Sequence, residues 1–477
     1  MTRGRAEGQS GAGVAVVLAL FAGLWLGLAA AVSAVLGIAR ADAAPAVVLA
    51  PFALAGLASL RWPHRAVPML LPGLLVFFKV NDALAETVGG TVTNDTLAAA
   101  LALWLLFRLG RDQLIETVLA GRLFLILLAG LAGVLLVSSI NAVDRAQSLA
   151  TSAIFGKDVA LAILLALSIR TRRDLDALID WLILSTAFCA VIILYDTMQG
   201  APLFPGDKIA TWQGALRSSG ASTESVPDVA ALILMGTILA GTNAARKARG
   251  RWLHIGAAIL GVAAVLATIS RAPFAALLVM AGLFLYRHRH EAYFAKAVSL
   301  SLATLLVAVL TLAQPVISKF GAVAAPSEDR TVARRLSYQE IGIDLFGQAP
   351  FLGIGAGNYA VHFASDEYRF VGGRGSEARP LHNIYLQYAT ETGLLGFGYF
   401  IGLVGAIAAT LLRGTRSGEE TIAGQSEGLL LAHISICALL LALSSKSFLG
   451  LWLLVGFSIA LARLMRKHGP PGGALQP

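Results

Sequence analysis

Arg379-Pro-Leu-His382-Asn383-Ile-Tyr-Leu-Gln-Tyr-Ala-Thr-Glu391-Thr-Gly393-Leu-Leu-Gly396 ends a long polar stretch, residues 318–392, and begins a return to apolar sequence. Elsewhere the chain runs in apolar segments joined by short, often basic turns. A polar segment of this length between apolar ones has a task other than spanning a bilayer. Its last histidine stands directly before re-entry, where a side chain can do chemistry at a membrane surface.

The rest of the chain sets the class. It has 477 residues, 57% hydrophobic and only 14% charged, against about 25% charged in an ordinary soluble domain. Mean hydropathy is +0.74, and apolar runs recur near the ~20 residues needed to cross a bilayer. These features predict an all-α polytopic integral membrane protein. Candidate spans are 12–36, 44–60, 66–80, 96–109, 121–140, 155–169, 176–198, 226–242, 253–269, 272–287, 295–317, 393–413, 427–444 and 446–464. That is about 14 helices, or 12 if the weak pair 66–80 and 96–109 is re-entrant. Residues 1–317 then form an N-terminal membrane bundle, 318–392 a large periplasmic loop containing helices, and 393–477 the C-terminal membrane helices with a short tail. The run from Gly11 to Ile38 is too long for a signal-peptide core and reads as an uncleaved first helix.

The net charge of +9 is topological information and no nucleic-acid footprint. With the N-terminus in the cytoplasm, clusters such as Arg170/Arg172/Arg173, Arg246/Lys247/Arg249/Arg251 and Arg463/Arg466/Lys467 fall on the cytoplasmic side. Both termini are then cytoplasmic, and the 199–225 loop, the 270–272 turn and the long loop lie outside. Cys189 and Cys437 sit in apolar runs as small hydrophobes, with no disulfide or metal framework.

Of eight histidines, His362 and His382 face outward. An imidazole titrates near ambient pH and suits deprotonation of a hydroxyl, which makes His382 the leading base; the bland reading is a helix cap or a headgroup-level residue. Arg217 and Arg271 stand beside spans on the same face, where a guanidinium can grip a lipid-linked diphosphate or simply snorkel to lipid phosphate. Arg334 and Arg335 lie on a predicted loop helix that begins near Ser327, carries an apolar stripe Val332, Leu336, Ile343 and Phe346, and ends by Gly347 and Pro350. Gly353-Ile-Gly355-Ala-Gly357 lacks the context of a nucleotide fingerprint and reads as a tight turn. Gly398-Tyr-Phe-Ile-Gly402 reads as a helix-packing pattern, and Asp174-Leu-Asp176 as a helix start.

The order Arg335, then Pro350-Phe-Leu-Gly353-Ile-Gly355-Ala-Gly357-Asn358, then His382-Asn383-Ile-Tyr-Leu-Gln, then Glu391-Thr-Gly393-Leu resembles the signature region of the O-antigen ligase and polysaccharide polymerase superfamily. The resemblance implies a bacterial inner-membrane, multi-pass glycosyltransferase of the C type with a periplasmic active face, without metal or other cofactor. Its donor would be a glycan on undecaprenyl diphosphate. Its acceptor would be a sugar hydroxyl of the lipid A core in a ligase, or a growing polysaccharide in a polymerase of O-antigen or exopolysaccharide repeats. His382 then matches the family histidine, Arg217 and Arg271 the diphosphate-holding arginines, and Arg335, Asn383 and Glu391 supporting positions. The chain departs from the pattern at Pro227-Asp228, where the family usually has Pro-Asn. A lesser alternative is a lipid-linked glycan flippase, which would carry its charged groups near the bilayer midplane.

Overall fold

The computed structural model describes residues 111–200, 210–212, 215–218, 225–247, 250–287, 289–290, 330–372, 379–443 and 448–468. The expected spans 12–36, 44–60, 66–80, 96–109 and 295–317 lie outside the described residues. The elements are α1 (Arg111–Ala120), α2 (Arg122–Ser138), α3 (Arg145–Ser168), α4 (Arg172–Gln199), β1 (Ala210–Trp212), β2 (Ala215–Arg217), α5 (Val226–Arg246), α6 (Arg251–Ala267), α7 (Arg271–Arg287), α8 (Arg330–Gln348), α9 (Tyr359–Ala364), α10 (Ile384–Gly414), α11 (Glu420–Leu439) and α12 (Leu449–His468). The fold is an all-α membrane bundle with one antiparallel ribbon, in which Ala210 pairs with Arg217. Among the described residues seven helices are long and apolar enough to cross a membrane: α2 extended to Asn141, and α3, α4, α5, α10, α11 and α12.

Local chemistry sets the helix ends. The Asp144 carboxylate accepts from Gln147 N at 2.9 Å and starts α3, ten residues before the apolar run suggested. Thr171 and Asp174 form a reciprocal capping box at the start of α4, so the Asp174-Leu-Asp176 acids do begin a helix. Pro227 occupies the first turn of α5, where no backbone donor is required.

α5 and α12 lie deepest in the bundle. Small residues let the helices approach: a Cβ on Gly236 would overlap Thr186 of α4, and one on Gly456 would press on the Ala162 carbonyl of α3. Of the expected packing pair, Gly398 has open space around it while Gly402 lies close to Leu127 of α2, where a Cβ would come within 3.0 Å, and Tyr399 of the same helix is seated over Gly130 of α2. Arg463 is buried at one end of the bundle, donating to the Ala166 carbonyl of α3, to the carbonyl of Ile169 that caps α3, and to the Thr117 hydroxyl of α1. One guanidinium thus ties three helices.

Outside this bundle core lies a second apolar cluster. Tyr338, Ile341 and Leu345 of α8 pack with Ile354, Tyr359, Phe363, Tyr368 and Leu381. The expected stripe on α8 is corrected here, because Leu336 and Ile343 are each 61% exposed. Tyr338, Ile341 and Leu345 also recur at helical spacing, and that face meets the aromatic pocket of the loop.

Candidate active site

The glycine turn and the Glu391-Thr-Gly393 segment form one clamp. Ile354 N donates to Thr390 O and Gly355 N to Glu391 O, both at 3.1 Å, and Leu394 N donates to Pro350 O at 2.8 Å. The Glu391 carboxylate reaches back to accept from Gly357 N at 2.7 Å. Gly353 and Gly393 have φ of 72° and 64°. A Cβ on Gly353 would overlap the Glu391 backbone, and one on Gly393 would overlap Phe351, so both the left-handed torsion and the close approach demand glycine. The clamp is fastened to the α2–α3 turn: Asn141 Nδ2 donates to Gly353 O at 3.0 Å, and Asn358 exchanges bonds of 2.7 and 3.1 Å with the Asp144 backbone. Glu391 and Asn358 therefore act as framework.

His382 projects from the strand of chain entering α10. Its neighbour Leu381 is buried in the loop cluster against Gly342. On its other side the Asn383 side chain accepts from Leu386 N at 3.2 Å and caps α10, while Ile384 N donates to Leu440 O at 2.8 Å. Asn383 and not His382 is the cap. Held from both sides, His382 adopts φ of 57°, a strained torsion for a residue with a Cβ. Its ring stacks on Tyr338 with centroids 5.6 Å apart and planes 24° apart, and Tyr359 Oη fixes the Tyr338 carbonyl at 2.7 Å. Burial, followed by the nearby charges of Arg335 and Arg379, lowers the His382 pKa to about 4. The imidazole is accordingly neutral at neutral pH, with two cations close by.

The structure thus brings His382 and Arg335 together and adds Arg379 and Tyr338. Arg379 stands three residues before His382 in sequence, a signal that composition alone does not separate from the basic stretch preceding it. Tyr338 had no sequence signal beyond being aromatic. Arg271 begins α7 two residues after Ile269, whose φ is 49°. Ile269 and His382 are the non-glycine residues with positive φ among the described residues. Arg287, at the far end of α7, pairs with Glu427 near the start of α11. Arg217 closes β2, and the adjacent Ser218 hydroxyl bonds the buried Asp196 near the end of α4; the Arg217 side chain lies outside the described residues. The other outward histidine, His362, lies on α9, where burial lowers its pKa against the pull of Glu367. Among the described residues no group of three or more His, Cys, Asp and Glu is arranged to hold a metal ion.

Residues 256–401 match the family model described as O-Antigen ligase. This segment belongs to the O-antigen ligase and polymerase superfamily. No curated protein matches the chain. The O-antigen ligase match runs from α6 into α10, so Arg271, Arg335, Tyr338, Arg379, His382 and Glu391 lie inside it and Arg217 lies outside. Residues 256–401 are thus similar to O-antigen ligases, and the seven apolar helices make the chain a multi-pass membrane protein.

Proposed function

We propose that the protein is a C-type glycosyltransferase. It moves a glycan from undecaprenyl diphosphate to an acceptor sugar hydroxyl at the periplasmic face of the bacterial inner membrane. We place it first as an O-antigen ligase, with the lipid A core as acceptor; a polymerase of O-antigen or exopolysaccharide repeats would use the same chemistry on a different acceptor. The observation that carries the reading is the neutral imidazole of His382, fixed on Tyr338 between the influence of Arg335 and Arg379.

In this reaction the acceptor oxygen attacks the anomeric carbon and the bond from that carbon to the diphosphate breaks. The bonding pair departs with undecaprenyl diphosphate, and guanidinium groups stabilise the charge that develops there. Arg217 and Arg271 are assigned to this task. His382 accepts a hydrogen bond from the attacking hydroxyl and takes its proton as the new bond forms. An imidazole of pKa about 4 is a weak base in the free enzyme. An anionic substrate beside Arg335 and Arg379 offsets the two cations and raises its basicity, so base strength follows substrate binding.

The test is incubation of purified protein with a lipid-linked oligosaccharide and candidate acceptors, with products weighed by mass spectrometry. Wild type is expected to give the joined glycan, and His382→Ala, still inserted and monodisperse, to give none. Normal transfer by His382→Ala would remove His382 from the mechanism. In cells, complete chains left unattached to lipid A core point to the ligase reading, and single repeats to the polymerase.

A further inference from the structure

At the end of α11 remote from His382, about 30 Å away for a helix of 20 residues, the helix ends enclose a cavity of about 600 Å³. It lies between the beginnings of α4, α6 and α11 and the end of α5. Asp180 is the centre of its polar wall, accepting from Asn243 Nδ2 at 3.0 Å and Lys247 Nζ at 2.8 Å, with His254 Nε2 at 3.6 Å. Lys247 also pairs with Asp176 at 3.1 Å. Arg246 lies across Gly424 of α11, where any Cβ would overlap its guanidinium, and Glu420 closes the rim. The opposite wall is aliphatic: Leu184 and Leu253 line the cavity and remain 45% and 51% exposed on the bundle surface. Trp252, 81% exposed, stands next to Leu253, the placement of an interfacial anchor.

Charged groups at helix ends beside exposed aliphatic side chains are the layout of a lipid headgroup site entered from one leaflet. Its lining carries three carboxylates against Arg246 and Lys247, with His254 besides. This balance disfavours an anionic headgroup and suits one that carries both signs. Lys247 is committed to the two aspartates; Arg246 spends one Nη1 hydrogen on Asn243 Oδ1 at 3.3 Å, which leaves its other N–H groups for an anion and Glu420 for a cation. We propose that this cavity binds the headgroup of a zwitterionic phospholipid with a primary amine. Its phosphate lies on Arg246, its ammonium at Glu420, and its acyl chains leave past Leu184 and Leu253. The bound lipid would fasten α4, α5, α6 and α11 together on the face remote from glycan transfer.

The full-length protein in nanodiscs of equimolar phosphatidylethanolamine, phosphatidylcholine and phosphatidylglycerol, matched in acyl chains, is released into native mass spectrometry. Wild type is expected to retain phosphatidylethanolamine in about ten-fold excess over the other two, the scale of one charged hydrogen bond. Glu420→Gln should bring the excess close to parity. Gly424→Ala should lower retention of all three lipids by displacing the flexible Arg246 side chain, which holds the phosphate they share, without changing any charge, and it keeps the test decisive if Glu420→Gln fails to fold. Free phosphoethanolamine at equal concentration in detergent should not displace the lipid; complete displacement would show a soluble ligand site instead. Equal retention of the three lipids, an excess of phosphatidylglycerol, an excess unchanged in Glu420→Gln, or total retention unchanged in Gly424→Ala would overturn the proposal. Lipid retention is read without glycan transfer, so its failure leaves the enzymatic reading untouched.

Discussion

His382 shows how a single torsion and two neighbouring charges shape a candidate base. Because its folded pKa lies below the ordinary value of 6.5, the folded protein favours the neutral ring. Its contribution to stability is complete above about pH 6.5 and is lost as the pH falls toward 4. The pH profile of kcat/KM, which reports the free enzyme, should therefore show an acid limb near 4 and no inflection at 6.5. Arg335→Gln and Arg379→Gln each remove a cation that opposes protonation, so each should move that limb upward. A limb at 6.5 in wild type, or one unmoved in both variants, would contradict the electrostatic account. Asn383→Ala removes the α10 cap and should cost about 1 kcal/mol of stability, read as a lowered thermal midpoint. The sequence marks His382 and Arg335 through their motif, but not the Tyr338 stack, because aromatic stacking is decided by which helix face turns toward the loop.

Among elements, the decisive unit is the clamp between the glycine turn and the start of α10. Gly353→Ala and Gly393→Ala place a Cβ against backbone at a positive φ. Each should destabilise by at least ~1–3 kcal/mol, the scale of one forced torsion, and should lower activity in proportion to the folded fraction. Glu391→Gln keeps the shape of the group that holds Gly357 N while removing its charge. It should cost less than Glu391→Ala, and thermal unfolding in detergent measures the difference. The glycines were legible as a turn and the acid as part of a motif. Their mutual contact was not, since Gly353 and Glu391 meet across an intervening helix and loop.

For the whole molecule, the ends of the helices decide which groups can meet. Arg463 ties α1, α3 and α12 where their ends converge; Arg463→Leu should lose on the order of 2 kcal/mol for its charged hydrogen bonds, seen as earlier unfolding with His382 geometry intact. Topology is checked with single cysteines in a background where Cys189 and Cys437 are serine. Ala364→Cys in the loop should react with a membrane-impermeant maleimide from the periplasm, and Arg416→Cys only after the cells are opened. Reaction of both from the same side would reverse the proposed orientation.

Apolar runs of membrane-spanning length were sufficient to determine the all-α bundle, because a backbone in hydrocarbon must satisfy its own hydrogen bonds. Residue order was likewise enough to single out the motif that ends in His382-Asn383. Only the tertiary structure decided which side of α8 is buried, that Asn383 caps while His382 stacks, that Glu391 locks the glycine turn, and that Asp180, Lys247 and Glu420 share one cavity. These depend on contacts between residues far apart in the chain, and such contacts are set by packing, which hydropathy and spacing along a single chain do not encode.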